Sequence, residues 1–304
     1  MEKFLIKGSS SKGVKGLINC SGAKNAVLPL MASSILFDDT VTLRNVPLGA
    51  NDIQTMIILL KSLGSKVQII KKKKILKITN KKKHKLLVKY KYISTMRAGV
   101  LAMGALLGKY NKCSTALSGG CSLGPRPIGY HLAGFKKLNC KYNLNKGYIN
   151  IISPNGIKGG HFRFPRVSVT GTSNLILASV LANGQVITIS NISIEPEVLD
   201  LIKFLRNGGA RIYNTGKRTI KIYGVKKLNG HQHEVIGDRI EAFSYLCAAA
   251  ITKGKIKIKK IDPKHLITEL KVLKKIGCKI KVDKSSIELN RKNNLKTTNL
   301  KTAP

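Results

Sequence analysis

Apolar and polar positions follow one pattern that recurs four times along this chain. Each copy reads as a short β-type strand, a brief connector, an amphipathic helix closed by Gly or Asn, and a second strand. In the first copy the strand covers residues 41–46. The helix after it sets Ile53, Met56, Ile57, Leu60 and Leu63 on one stripe and stops at Gly64. Spacings of three and four residues share a helix face, and Gly is favoured just past a helix end. The third copy has its strand at 186–192 and a helix opened by Pro196. That helix carries Val198, Leu201, Ile202 and Leu205 and stops at Gly208-Gly209; proline suits a first helical turn. The fourth has its strand at 255–261, Pro263 as opener, then Leu266, Leu270, Leu273 and a stop at Gly277. After each stop comes another strand, at 65–69, 210–213 and 278–282. Upstream of each copy a further helix, rich in small apolar residues, is expected at 23–36, 97–107, 174–181 and 241–251. Strands alternating with helices predict an α/β fold.

The second copy departs from the others. Its strand is expected at 113–118 and its helix ends at Phe135-Lys136-Lys137-Leu138-Asn139, before a strand at 140–142. In place of a short connector it carries residues 119–131. This insert begins Gly119-Gly120-Cys121-Ser122-Leu123-Gly124-Pro125-Arg126-Pro127. Two glycines open backbone angles closed to other residues, and the prolines stiffen the chain beyond them. A thiol in a polar loop beside a fixed positive charge tends toward the reactive thiolate. An irregular loop on a regular scaffold is where function concentrates, so the insert is the first candidate site; a half-buried cysteine in a surface turn is the plainer reading.

The upstream helices begin with polar residues in parallel: Lys24-Asn25, Thr95 with Arg97, Ser173-Asn174, and Asp238-Arg239. Helix capping accounts for such residues. Helix N-termini also present free N–H groups and a positive dipole end to anions. Lys24 and Arg97 stand at the end where a cation opposes the dipole, so an anionic ligand explains them better than helix stability does; full solvent exposure would explain them as well.

Charge changes the picture less than its size suggests. Lys plus Arg number 55 against 14 Asp plus Glu, a net charge of +41. Such a balance fits nucleic acid, an anionic surface or anionic substrates. The lysines, however, are spread through every segment. The densest tract, residues 71–91, alternates them with Ile75, Leu76, Ile78, Leu86, Leu87 and Val88 and reads as a solvated hairpin with charged edges. Only Tyr90 and Tyr92 could stack bases there. Six cysteines, with no C-x-x-C pair and no His at zinc spacing, argue against a disulfide scaffold or a structural metal. No cofactor is called for. The first residues have no apolar core of signal-peptide length, and the longest nearly apolar run, 98–108, is short of the about 20 residues a membrane span needs. A reducing cytoplasm is the expected setting.

Taken in order, Ser21-Gly22-Ala23-Lys24-Asn25-Ala26, Thr95-Met96-Arg97 and Gly119-Gly120-Cys121 through Arg126-Pro127 resemble the UDP-N-acetylglucosamine 1-carboxyvinyltransferase family. So do Val167-Ser168-Val169-Thr170-Gly171-Thr172, Glu195-Pro196-Glu197 and Asp238-Arg239-Ile240-Glu241. The resemblance runs over essentially the whole chain. It implies two inside-out α/β prisms of three repeats each, with the active site in the cleft between them. Residues 22–236 would form the prism with the catalytic loop at about 113–131, and 1–21 with 237–304 part of the second prism. It further implies transfer of the enolpyruvyl group of phosphoenolpyruvate to the 3′-hydroxyl of UDP-N-acetylglucosamine with release of phosphate. That is the committed step of peptidoglycan synthesis, on which cell shape and division depend.

By the same resemblance Cys121 is the proton donor, which also forms a covalent adduct with phosphoenolpyruvate. Lys24, Asn25 and Arg126 belong to the phosphoenolpyruvate site. Arg97, Arg126, Pro127, Ile128, Gly129, Tyr130, Arg166, Val167, Ser168 and Val169 belong to the sugar-nucleotide site. Three positions depart from the family pattern: Gly129 where Asp is usual, Arg166 where Lys is common, and Ser173 for a frequent Glu. Residues 300–304 resemble a segment just before the family's Pro-Thr-Asp motif, whose aspartate is the proposed base for the 3′-hydroxyl. With that motif and two repeats of the second prism absent from the sequence, uncovered apolar faces are expected to leave the chain poorly soluble or partly disordered beyond about Ile236. A C-terminal segment acting in trans is the expected partner. The related transferase acting on shikimate 3-phosphate lacks the Gly-Gly-Cys loop. Two other readings stand beside the leading one: a remnant that binds sugar nucleotide without turnover, and a basic nucleic-acid-binding protein.

Overall fold

The computed structural model describes residues 5, 13–80, 83–94, 96–116 and 128–300. The elements run β1 (Lys15–Asn19), α1 (Lys24–Ser33), β2 (Val41–Arg44), α2 (Asn51–Leu63), β3 (Lys66–Ile70) and β4 (Ile75–Thr79). There follow β5 (Leu87–Val88), α3 (Tyr90–Ile93), α4 (Leu101–Tyr110), β6 (Lys112–Ala116), α5 (Gly129–Lys137), β7 (Lys141–Asn145) and β8 (Tyr148–Ile152). Next are β9 (Gly160–Arg163), α6 (Val169–Ser179), β10 (Val186–Ser190), α7 (Pro196–Asn207), β11 (Arg211–Gly216) and β12 (Thr219–Tyr223). The last are β13 (Gln232–Glu234), α8 (Arg239–Ile251), β14 (Lys255–Lys259), α9 (Ile267–Lys275), β15 (Lys279–Asp283) and β16 (Ser286–Asn290).

All four sheets have four strands and one plan: β13-β2-β4-β3, β5-β6-β8-β7, β9-β10-β12-β11 and β1-β14-β16-β15. In each, the first strand of a repeat pairs parallel with one strand and antiparallel with the last strand of its own hairpin. The sequence pattern marked only two strands per repeat. The returning hairpin strands and the parallel partners escaped it, β5 and β13 because they are only two and three residues long. The lysine-rich tract is not a separate hairpin. Its β4 half belongs to the sheet of β2 and β3, and β5 pairs with β6 in the next sheet. Ile75, Leu76, Ile78 and Val88 are buried there, which a freely solvated hairpin could not achieve.

The chain divides into two compact units, Lys24–Val235 and the residues up to Ala23 together with Ile236–Ala303. In the first unit the three repeats share a centre made by α1, α4 and α6, whose residues 26–33, 101–108 and 171–179 are buried. Helices buried on every side, here by apolar residues and by small polar ones such as Ser33, Thr172 and Ser179, show little amphipathic periodicity. The closest approach is that of α4 to α6. A Cβ on Gly104 would stand 2.4 Å from the backbone and side-chain oxygens of Asn174, and one on Gly108 2.4 Å from the Leu177 carbonyl oxygen.

The unit is closed by β13, whose Gln232, His233 and Glu234 lie opposite Thr42, Leu43 and Arg44. Asn45 and Asn191 leave the first strands of their repeats in the left-handed region, at φ 59° and 55°, which Asn tolerates better than most residues. Their amides donate to the Val235 and Phe164 carbonyl oxygens at 3.1 and 2.8 Å, tying each first strand to the end of its parallel neighbour.

A second polar tie joins the first two repeats. His84, buried, has Nδ1 2.7 Å from the Tyr110 hydroxyl and Nε2 3.1 Å from Asn80 Oδ1, while Asn80 donates to the Ser34 and Phe37 carbonyl oxygens. With both amide protons of Asn80 used, His84 donates from Nε2 and accepts at Nδ1, as a neutral imidazole.

The other unit holds β1, α8, β14, α9, β15 and β16 around Ala242, Leu246, Ala249, Ile256, Ile258, Leu266, Leu273, Ile287 and Leu289. The stretch beyond Ile236 is thus a packed sheet and two helices, not the partly disordered segment expected from uncovered apolar faces; its own hairpin and β1 cover one side. Away from that core α8 leaves Ile240 and Ile251 exposed on one side and Tyr245 on its flank. Asp238 caps α8, its carboxylate accepting from the Ile240 and Glu241 amides at 2.9 and 3.1 Å. Glu241 accepts from the Ser21 amide at 2.8 Å.

Gly104→Ala should lower the stability of the chain by about 1–3 kcal/mol, since backbone must move to admit the methyl group. Gly129→Ala, whose Cβ would meet nothing within 4 Å, should be neutral or slightly stabilising. Urea unfolding of the two variants checks both.

Candidate functional site

Residues 117–127, and with them Cys121, Arg126 and Pro127, lie outside the described residues, as does Thr95. The site is built from the segments that flank them. The insert of the second repeat ends earlier than its sequence suggested, because Gly129, Tyr130 and His131 already form the first turn of α5. Ile128 is buried and anchors that turn, its carbonyl oxygen accepting from the His131 and Leu132 amides at 3.0 and 3.1 Å. Gly129 is exposed and Tyr130 half-buried.

Arg97 opens a short 3-10 turn, Arg97–Val100, that leads into α4. The helix expected to start at Arg97 therefore starts at Leu101. Lys24 is the first residue of α1, with its Nζ 2.7 Å from Asp52 Oδ2 on α2. A carboxylate thus offsets part of the charge that an anion was expected to explain. Asn25, next to it, is exposed. The α1 helix packs on the Arg97 turn and on α4.

The helix expected from Asn174 starts five residues earlier, at Val169. Its N-cap is Ser168, whose hydroxyl accepts from the Gly171 amide at 3.1 Å. Thr170 to Ser173 are small and polar, so hydrophobic spacing could not mark this first turn, and only the capping serine signals it. Arg166 and Val169 are exposed, and Val167 and Ser168 half-buried. Ser173 and Asn174 are not at a helix end but buried in the second turn. Ser173 Oγ donates to the Val169 carbonyl oxygen at 3.1 Å.

Asn174 gathers these pieces. Its Oδ1 accepts from the Gly104 amide at 2.8 Å, and its Nδ2 donates to the Val100 carbonyl oxygen at 3.0 Å and to His131 Nδ1 at 2.8 Å. His131 Nε2 lies 3.4 Å from the Thr170 hydroxyl. The Arg97 turn and the first turns of α5 and α6 thus converge on one buried polar cluster. His131 was not singled out from sequence, and Asn174 only as one of the polar residues at an expected helix start, read as a cap or as facing an anion. The available signal at Asn174 was a polar residue directly before the apolar run Leu175-Ile176-Leu177, at the start of an expected helix.

His131 is held well below the ordinary histidine range, at about 4, by burial first and the Arg97 charge second. His84 is likewise lowered to about 4 by burial and Lys109, with Asp38 opposing. Among the described residues no group of His, Cys, Asp and Glu side chains converges as a metal site, and no helix is long and apolar enough to cross a membrane.

Residues 9–304 match the family model described as EPSP synthase (3-phosphoshikimate 1-carboxyvinyltransferase). The UDP-N-acetylglucosamine 1-carboxyvinyltransferase of Pelagibacter ubique (strain HTCC1062) is 45% identical over 304 residues, 100% of this chain and 72% of the relative. That of Endomicrobium trichonymphae is 42% identical over 302 residues, 99% of this chain and 71% of the relative. Among solved structures, the enolpyruvyl transferase NikO from Streptomyces tendae superposes with a TM-score of 0.79 at 14% identity, covering 92% of this chain and 66% of that one. At that identity the likeness speaks for the fold, the α/β prism of enolpyruvyl transferases. The comparisons lend no support to a nucleic-acid-binding protein or to a binding remnant.

Both buried histidines should make stability depend on acid. Their folded values lie below the unfolded one of about 6.5, so between about 6.5 and 4 the unfolded chain holds more protons. Stability is fully present above about pH 6.5 and falls as the pH drops toward 4. The urea midpoint measured from pH 7.5 to 4.5 should show this decline, and His84→Gln should make it shallower.

Proposed function

The chain belongs to the UDP-N-acetylglucosamine 1-carboxyvinyltransferase family of enolpyruvyl transferases, and from that premise we propose that it transfers the enolpyruvyl group of phosphoenolpyruvate to the 3′-hydroxyl of UDP-N-acetylglucosamine. The carrying observation is identity of 45% and 42% over essentially every residue to relatives bearing that name. The product would feed peptidoglycan synthesis, and the cytoplasm is the proposed location.

The proposed reaction adds and then eliminates. The methylene carbon of phosphoenolpyruvate takes a proton, the sugar 3′-oxygen bonds to the neighbouring carbon, and the hydroxyl gives up its proton. Loss of phosphate from that carbon, with a proton from the adjacent methyl group, restores the double bond as an enol ether. Cys121 supplies the first proton, and its thiolate can then bond to the same neighbouring carbon as a covalent phosphoenolpyruvate adduct, which reverts by loss of the thiolate. Lys24, Asn25 and Arg126 hold the phosphoenolpyruvate anion. Arg97, Arg126, Pro127, Ile128, Gly129, Tyr130, Arg166, Val167, Ser168 and Val169 take the sugar nucleotide.

Electrostatics supports these roles. Two anionic substrates repel one another unless cations and N–H groups converge on them, and charge-assisted hydrogen bonds are the strong ones. Arg97, half-buried, and Lys24, at the start of a helix, lie in adjoining elements of one unit. The other thiols are unsuited to the acid role. Burial pushes Cys20 up to about 12 and Cys140 to about 11, and it raises Cys113 as well.

The chain spans about 70% of the curated relatives' length. A further segment, on this or another polypeptide, is the proposed partner, and the side of α8 that exposes Ile240 and Ile251 is where it would dock.

Purified protein given both substrates should release phosphate, and Cys121→Ala should slow release by about a hundredfold or more, the usual contribution of a positioned acid. Release that persists without UDP-N-acetylglucosamine, or is unaffected in Cys121→Ala, would sink the proposal.

A further inference from the structure

Asn174 is fully buried in the middle of α6, where its amide is the largest polar side chain among the buried Thr172, Ser173 and Ser179 and the apolar Leu175, Ile176 and Leu177. A buried amide and imidazole contribute little net stability over apolar groups of the same shape, because the hydrogen bonds replace ones made to water. What they add is direction. Each bond sets one group at one distance and angle, and a fully satisfied network excludes alternative packings.

The network is satisfied on every arm. Asn174 Oδ1 receives the Gly104 amide, and its two amide protons go to the Val100 carbonyl oxygen and to His131 Nδ1. Since His131 accepts at Nδ1, its proton sits on Nε2, facing the Thr170 hydroxyl at 3.4 Å. Val100 closes the turn that Arg97 opens, His131 follows Ile128, Gly129 and Tyr130 directly, and Thr170 follows Ser168 and Val169 directly. The absence of a side chain at Gly104 leaves room for the amide, because a Cβ there would overlap Asn174 Oδ1.

We propose that Asn174 and His131 are positioning residues that lock the Arg97 turn and the first turns of α5 and α6 into one arrangement, and that sugar-nucleotide affinity depends on this lock. The proposal rests on the reading of those three segments as the sugar-nucleotide site.

Two near-isosteric variants separate positioning from bulk stability. His131→Asn can present an amide oxygen where Nδ1 stands and so keeps the bond from Asn174. His131→Gln places its amide where Nε2 stands and leaves Asn174 Nδ2 without that acceptor. Calorimetric titration with UDP-N-acetylglucosamine should find His131→Asn within about twofold of wild type and His131→Gln about tenfold weaker, the size of one lost hydrogen bond. Amide hydrogen exchange without ligand should rise in His131→Gln at 97–104, 128–132 and 169–174 together. Equal affinity in the two variants, or faster exchange confined to α5, overturns the lock. Wild-type protein that fails to bind the sugar nucleotide overturns the ligand reading and this dependence with it.

Discussion

The close contact of α4 with α6 is the constraint from which the larger unit is built. Two helix backbones can come this near only where one of them carries no side chain at the crossing, and Gly104 and Gly108 of α4 meet that condition against Asn174 and Leu177 of α6. Glycine inside a helix costs about 1 kcal/mol relative to alanine, so its place here reflects packing rather than helix stability. The contact also leaves Asn174 inside the unit, where its amide must be bonded on every side. A steric requirement thereby becomes a polar junction between three segments.

Around that centre the sheets solve a second problem. Each repeat buries one face of its hairpin against the helices but would leave its first strand with an open edge. In every sheet a parallel strand covers that edge, and unpaired edges are otherwise sites of aggregation. For the first repeat of the larger unit the covering strand is β13, about as far along that unit as the chain can supply it. His233 on β13 meets Asp200 on α7 at 2.9 Å, both buried, so the closing strand is held by a directional contact as well as by its backbone. In the smaller unit β1 does the same for β14. Both closures join residues some 190 to 240 positions apart, such as Thr42 with Gln232 and Lys15 with Lys255. Long-range pairings of this kind form late, because loop-closure entropy opposes them.

The candidate site grows out of the same arrangement. The repeats set the starts of α1, α5 and α6 and the Arg97 turn in one unit, and helix starts carry free N–H groups. Ser168 uses its own hydroxyl to satisfy one of them, while Lys24 and Arg97 add positive charge that the helix ends themselves disfavour. Lys24 is steadied by Asp52, and Arg97 acts on His131 through its charge. Cations in such places fit the anionic substrates proposed for this chain.

The repeat unit, its helix stops and its capping residues were legible along the chain because they are local. Gly64, Gly209 and Gly277 adopt positive φ at the stops read from sequence, and Asp238 caps α8. The ordered motifs around Lys24, Arg97, Cys121 and Val167 carried the family, because together they are far more specific than any one alone. The features that depend on distant partners were not legible. The start of α6 lies at Val169 because Ser168 caps it and its small polar residues pack inside the unit, where periodicity is silent. The first turn of α5 includes Gly129 to His131 because His131 is drawn in by Asn174. The parallel strands β5 and β13 exist only through their neighbours. Local chemistry wrote the elements and the family; the meeting of residues far apart in the chain decided the closing strands, the buried amide and the imidazole that it holds.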